Sequence, residues 1–306
     1  MGDRELAWRR LGKAGLRLRK LCKRLAPDIV HAWGEAAEVV SLLCLGDKDI
    51  RKFVTRSRVI STDSLLFELG LKKLGQGVEK YIVPHEEVKT SMVAQHYDDT
   101  KFKIVPSAVP QCRHDRTEAR KQLLQLAGIP DNSKIAATVA PLVPRSRLKD
   151  TIWATDLLTC IRDDVHFFVF GRGPQRQRLK KFTSQTEAIG HVHFVESGCE
   201  GLALLPGVDF YWHSHLREPL APAMLYAMNC AIPVVSVYGP GTAELIRHQE
   251  TGFGVNFGAR DEFARWTKYL LERTESGEQL ARQGKESVQG RFTAKEFGEG
   301  YRRVYR

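Results

Sequence analysis

Along the first segment of the chain, Leu11, Gly15, Leu18, Cys22 and Leu25 recur at helical spacing, while Arg9, Arg10, Lys13, Arg17, Lys20 and Arg24 occupy the other side. The pattern predicts an amphipathic helix over Arg4 to Leu25 with a cationic face. Pro27 stops it, and Asp28-Ile29-Val30-His31-Ala32-Trp33-Gly34 reads as a short buried strand ending in a glycine turn. Further apolar runs at Arg58 to Thr62, Tyr81 to Pro84 and Lys103 to Pro106 read as strands, separated by helical patterns around 35–46, 64–75 and 86–96. Strands alternating with helices of this length predict a parallel sheet covered on both faces.

Between Ser107 and Ser133 the chain turns polar and proline-containing, with one helical stretch, Thr117 to Ala127, closed by Gly128-Ile129-Pro130. A domain junction is expected there. The alternation then restarts with strands over Lys134 to Val139, Val165 to Phe170, His191 to Val195, Val208 to Trp212 and Pro233 to Val237. Helices are expected over Leu148 to Ile161, Pro174 to Glu187, a short one near 199–205, Pro219 to Met228, and from Arg260 onward. Two Rossmann-like units in tandem are the simplest α/β account.

Composition narrows this picture without changing it. The 306 residues favour two domains, and 42% hydrophobic with 27% charged residues excludes a disordered, collagenous or disulfide-scaffold chain. No run reaches the roughly 18–20 apolar residues of a membrane helix, and the basic N-terminus lacks the apolar core of a secretory signal. A soluble, cytoplasmic chain is expected. The six cysteines, Cys22, Cys44, Cys112, Cys160, Cys199 and Cys230, show no zinc-site spacing and read as structural thiols in a reducing compartment. The net charge of +11 fits anionic lipid, nucleic acid or a phosphorylated small molecule, and does not choose among them.

Ligands of open α/β sheets bind outside the carboxyl ends of the strands, so the loops there carry the candidate chemistry. Gly171-Arg172-Gly173-Pro174 permits close backbone approach to a phosphate at a helix N-terminus, and a plain strand-to-helix turn explains it as well. Pro141 to Lys149 clusters Arg145, Arg147 and Lys149, which suits a diphosphate or a solvated basic loop. His213-Ser214-His215-Leu216-Arg217-Glu218-Pro219 sets two histidines and an acid before a helix. Tyr238-Gly239-Pro240-Gly241-Thr242 offers backbone N–H groups, from Gly241 and Thr242, to phosphate or sugar.

Taken in order, these segments resemble the retaining, nucleotide-sugar-dependent glycosyltransferases of the GT-B fold, family 4. The matching pieces are Pro27 to Gly34, Lys103 to Pro106, Leu148 to Ala154, Val169 to Pro174, Arg217-Glu218-Pro219, Tyr226-Ala227-Met228, Ile232 to Val235, Gly241 to Ile246 and Glu250-Thr251-Gly252. The resemblance implies two facing Rossmann-like domains, the first reduced. Residues 1–112 would form the acceptor side, 113–290 the nucleotide-sugar domain, and 291–306 a helix crossing back to the first. It implies metal-independent transfer with no cofactor beyond the nucleoside-diphosphate sugar itself. Glu218 would contact the donor sugar; Arg145 and Arg147 would face the diphosphate. Gly171, Arg172, Gly173, Tyr226, His215, Gly241 and Thr242 would line the nucleotide, and His31 and Gly34 the acceptor side.

The chain departs from the family pattern at four places. The second signature glutamate, eight positions after Glu218, is Tyr226; the family arginine falls on Pro141 and its lysine on Ser146; and the Asn-Gly turn reads Ser107-Ala108. The usual first strand and glycine-rich loop do not precede Asp28, which implies a reduced first domain or a piece of a longer product. The leading expectation is transfer of a hexose-type sugar to a polysaccharide, lipid or small acceptor, with the first helix in peripheral contact with anionic membrane at the inner face or simply a solvated face. The alternative is a non-catalytic protein of the same fold that binds a sugar nucleotide, a glycan or a partner transferase. Nucleic acid is not expected as a partner, because the basic helix lacks interleaved aromatics.

Overall fold

A computed structural model describes residues 2–45, 50–57, 75–215, 221–239 and 241–306. The strand expected at Arg58 to Thr62 and nearly all of the helix expected over 64–75 lie outside the described residues. The chain divides into two compact units, residues 1–106 with 298–306, and residues 107–297. No helix among the described residues is long and apolar enough to cross a membrane.

The first unit holds a parallel sheet of four strands in the order β1 (Ile29–Trp33), β2 (Arg51–Thr55), β3 (Lys80–Val83) and β4 (Phe102–Ile104). Helices α1 (Gly2–Leu25), α2 (Glu35–Cys44) and α3 (Glu86–Ala94) accompany it. Gly15 brings α1 against α2, since a Cβ there would overlap the Cys44 sulfur. Gly15 and Cys22 are buried as the helical pattern requires, but Leu25 is 62% exposed, as are Leu16 and Leu21 in large part. The face of α1 packed on the unit is therefore narrower than the sequence predicts. Inside the unit Glu38 and Arg56 form a fully buried ion pair, Nε to Oε2 at 2.7 Å and Nη2 to Oε1 at 2.6 Å, with Nη2 also donating to the Tyr97 hydroxyl. Breaking one partner of such a pair strands a buried charge.

The last helix, α10 (Ala294–Tyr305), contributes residues 298–306 to this unit. Gly300 lets it lie on Val105, where a Cβ would come within 2.8 Å of the valine side chain. Its tyrosines close over β1 and β2: His31 Nδ1 meets the Tyr305 hydroxyl at 2.5 Å, His31 Nε2 meets Thr55 Oγ1 at 2.7 Å, and Tyr301 meets Thr55 Oγ1 at 2.9 Å. Trp33 stacks on Tyr301, and Arg51 donates to the Tyr305 carbonyl while pairing with Glu79.

The second unit is a parallel sheet of six strands in the order β10 (Phe253–Val255), β9 (Val234–Val237), β8 (Phe210–His213), β5 (Lys134–Val139), β6 (Val165–Phe170), β7 (Val192–Val195). Read from β7, this is the doubly wound order three-two-one-four-five-six, with its topological switch between β5 and β8. Helices α4 (Arg116–Ala127), α5 (Leu148–Thr159), α6 (Arg176–Thr183), α7 (Pro222–Asn229), α8 (Arg260–Glu272) and α9 (Thr274–Val288) accompany these strands. Residues of β6 alternate between two cores: Phe168 and Phe170 pack with Leu123 of α4 and Met224 of α7, Phe167 and Val169 with Leu158 of α5 and Leu179 of α6. Burial on both faces is why the strand is apolar at every position but His166.

Local chemistry sets the element ends. Asp115 caps α4 by accepting from the Glu118 N–H at 2.9 Å, and Gly128 ends it in a left-handed conformation. Helix α6 stops at Thr183, short of the expected Glu187, where the hydroxyls of Ser184 and Thr186 bond back to the Lys181 and Thr183 carbonyls. Cys112 and Cys230 are joined as a disulfide with Cα atoms 5.3 Å apart, which corrects the expectation that these two are thiols; Cys22, Cys44 and Cys160 are free.

Burial lowers the His31 pKa from 6.5 to about 4. The unfolded chain therefore binds the proton first, so the stability of the first unit is complete above the unfolded value and is lost as pH falls from there toward the folded one. The urea midpoint of unfolding should drop between about pH 7 and about pH 4.5, and His31→Gln should flatten that drop. A slope unchanged by His31→Gln would show that the histidine does not carry it.

Candidate functional site

The carboxyl ends of β5 and β8 open the crevice of the second sheet, and the loops around it are built on backbone contact. Beyond the strands, the Ala140 N–H donates to the Phe170 carbonyl at 3.0 Å, Leu142 N–H to the Arg172 carbonyl at 2.9 Å, and Gln175 N–H to the Leu142 carbonyl at 3.0 Å. A Cβ on Gly171 would overlap the Ala140 carbonyl oxygen, and one on Gly173 would lie 2.5 Å from the Leu142 carbonyl oxygen. These two glycines are thus required by the neighbouring loop, whether or not a ligand also approaches them. Ser146 is fully buried; its hydroxyl donates to the Pro141 carbonyl at 2.5 Å, and the Ser214 hydroxyl donates to the Ser146 carbonyl at 2.7 Å. The loops after β5, β6 and β8 are therefore tied into one rim. The two positions on which the resemblance would set the family's cations, Pro141 and Ser146, are bonded to each other.

The cations of this region have different fates. Arg147 adopts φ 53°, a left-handed conformation unusual for a side chain of this size, and its guanidinium is held at 2.7 Å by Asp150 and lies 4.6 Å from the centre of the Phe257 ring. Arg260 bonds the other Asp150 oxygen at 3.0 Å, so a carboxylate only 6% exposed joins the rim to the start of α8. Lys149 sits over the Phe182 ring, and Arg172 faces Glu196 at 3.8 Å. Arg145 is exposed and has no ion-pair partner among the described residues. It lies close enough to His215 for its charge to add to burial in lowering the histidine pKa.

At the end of β8, His213 is fully buried with its Nε2 unpartnered, and burial holds its pKa at about 3, so it stays neutral. The rings of His213 and His215 are 6.4 Å apart. Glu218, the expected sugar contact, lies outside the described residues. Tyr226 is 2% exposed, and burial raises its pKa, which keeps the phenol a neutral hydrogen-bond donor. After β9, Gly241 has φ 74°, and Thr242 spends its hydroxyl within the turn, accepting from the Gly239 N–H and donating to the Val237 carbonyl, each at 2.9 Å.

In the first unit both His31 nitrogens are engaged by Tyr305 and Thr55, so the side chain anchors α10. Gly34 has φ 82°, and a Cβ there would meet nothing within 4 Å, which leaves open space over the turn after β1. Sequence reasoning missed Asp150, Phe257 and the Ser214 bond. Asp150 had a readable signal, an acid three residues after Arg147 at the start of a helix; the other two depend on contacts across loops.

Residues 119–287, more than half of the chain, match the family model described as glycosyl transferases group 1, and the chain belongs to that family. It is 27% identical over 137 residues to the lipopolysaccharide core biosynthesis glycosyltransferase LpsE of Rhizobium meliloti (strain 1021), covering 45% of this chain and 40% of that one. It is 22% identical over 222 residues to N-acetyl-alpha-D-glucosaminyl L-malate synthase of Bacillus anthracis, covering 72% and 55%. The chain thus spans about half the length of the curated relatives it matches. Among solved structures, Anabaena HepE in complex with UDP-glucose superposes with a TM-score of 0.85 at 17% identity, over 95% of this chain and 81% of that one. Sucrose-phosphate synthase from Thermosynechococcus elongatus superposes at 0.82 with 16% identity, over 99% and 80%. These likenesses establish the α/β GT-B fold.

The backbone contact at Gly171 gives a direct test. Gly171→Ala should destabilise the second unit by about 1–3 kcal/mol through overpacking against Ala140, whereas Gly298→Ala, where a Cβ meets nothing within 4 Å of its helix, should be neutral or slightly stabilising. Denaturant unfolding of both variants measures it; equal effects would contradict the packing account.

Proposed function

We propose that the protein transfers a sugar from a nucleoside-diphosphate sugar to a glycan or lipid acceptor, with retention at the anomeric carbon and without a resident metal. The observation that carries this reading is Arg145, a cation without an ion-pair partner among the described residues, set beside His215 on the rim of the β5/β8 crevice. Family membership and a relative named as a lipopolysaccharide core glycosyltransferase support it, as do fold neighbours in complex with UDP and UDP-glucose. In this scheme the Arg145 guanidinium takes up charge that develops on the departing diphosphate, a contact stronger in the transition state than in the ground state. Tyr226 donates to a ribose hydroxyl, Glu218 contacts the donor sugar, and the Gly171 and Gly241 loops offer backbone N–H groups to phosphate. The acceptor enters on the face from which the nucleotide leaves, with Gly34 on the acceptor side.

A second reading, nucleotide-sugar binding without turnover, is favoured by one observation: the Ser146 hydroxyl is committed to the Pro141 carbonyl at 2.5 Å, so neither position supplies the family's cation. Calorimetry and turnover on a panel of UDP-, GDP- and ADP-sugars separate the two. Transfer is expected with at least one donor, unchanged by a chelator, and Arg145→Ala should lower kcat/KM by roughly 10²–10³. Binding without turnover supports the second reading, and absence of binding contradicts both.

The same proposal places the protein in the cytoplasm at an anionic membrane surface. Its support is α1, where Leu16, Leu21 and Leu25 are 66%, 42% and 62% exposed among Lys13, Arg17, Lys20 and Arg24. Sedimentation with vesicles should rise with their anionic lipid content and fall with salt. Binding indifferent to lipid charge would contradict this part.

A further inference from the structure

The far edge of the second sheet carries a feature that donor binding does not use. Among the described residues strand β7 pairs only with β6, and its register is fixed by the Phe167 N–H donating to the His191 carbonyl and the Gly171 N–H to the Val195 carbonyl. In a parallel ladder this turns residues 191, 193 and 195 toward β6, so the backbone groups of Val192 and Phe194 point away from the sheet. Among the described residues, the contact recorded for these outward groups is Arg176 Nη2 on the Phe194 carbonyl at 3.5 Å.

This edge is the floor of a cavity of about 540 Å³ lined along the whole strand from Val192 to Glu196. Its walls come from opposite faces of the sheet. Leu126 of α4, 56% exposed, stands on the Phe168 side, and Lys180 and Thr183 of α6 stand on the Phe167 side. Ile189, 60% exposed, lies at the end where the strand begins. An unpaired strand floored between two helical walls is the shape that accepts one more strand.

The two walls differ in chemistry, and that selects the occupant. The α4 wall is apolar at Leu126. Helix α6 carries Arg176, Arg178, Lys180 and Lys181 and no acid, and Arg176 is neutralised by Glu196. Side chains of an added strand alternate between these walls. We infer that the β7 edge is a docking site for an extended segment of a partner protein with alternating apolar and acidic residues, the apolar row against Leu126 and the acidic row against Lys180. A second copy of the chain is the poorer fit, because antiparallel pairing of two β7 edges sets the cationic α6 of one against that of the other.

The test is fluorescence anisotropy with a labelled Val-Glu-Val-Glu-Val-Glu peptide on the whole chain. Saturable binding is expected at up to roughly millimolar peptide, with a Val-Lys-Val-Lys-Val-Lys peptide at least tenfold weaker. Val192→Pro removes only an outward N–H and leaves the bonds to β6, so it should weaken binding by roughly tenfold while the melting temperature stays within a few degrees. Lys180→Glu should invert the preference between the two peptides. Absence of saturable binding, binding undiminished in Val192→Pro, or equal affinity for both peptides overturns the proposal. So does sedimentation as a dimer that Val192→Pro converts to monomer, which would assign the edge to a second copy.

Discussion

The loop after β6 lies so close on the loop after β5 that neither Gly171 nor Gly173 has room for a side chain, and the candidate site rests on that contact. It extends the pairing of β5 with β6 past the strand ends through Ala140, Leu142 and Gln175. Ser214 then fastens the loop after β8 to the same rim. A crevice framed by backbone-to-backbone bonds is preorganised, because little is left to order when a ligand arrives.

Charge is distributed on this frame by structural demand first. Arg147, Lys149 and Arg172 look equivalent to Arg145 in sequence, yet each is drawn to a neighbour: Asp150 with Phe257, Phe182, and Glu196. Asp150 also holds Arg260, so one buried carboxylate fixes the backbone of the rim and the start of α8 together. Arg145 is what remains for an anion. Where the resemblance places a clamp, the chain has a turn closed by the Ser146 hydroxyl on the Pro141 carbonyl.

Much of the fold was legible because the second sheet is buried on both faces. Val165 to Phe170 is apolar but for His166 and could be read as a strand from its sequence, as could Lys134 to Val139 and the glycine-closed helix before it. Strand β2 was not legible: Arg51 and Lys52 disguise a strand whose Phe53 and Val54 are buried, and Arg51 is there to pair with Glu79 and to hold the end of α10. Strand β10, three residues long, is too short to show alternation. The site loops were legible as locations but not as roles. His31 reads as a strand-end contact and its side chain anchors Tyr305; Gly171 reads as a phosphate loop and is required by packing whether or not a phosphate also approaches; the pairing of Cys112 with Cys230 joins positions far apart in sequence that no spacing rule connects.

A nucleoside diphosphate is proposed to bind at the rim joining the ends of β5, β6 and β8. Hydrogen exchange of backbone amides with and without UDP and GDP tests it most directly. Slowed exchange is expected at 140–147, 171–175 and 213–215, with the far edge at 192–195 unchanged. Protection confined to other segments, with the rim unaltered at saturating nucleotide, would contradict the account.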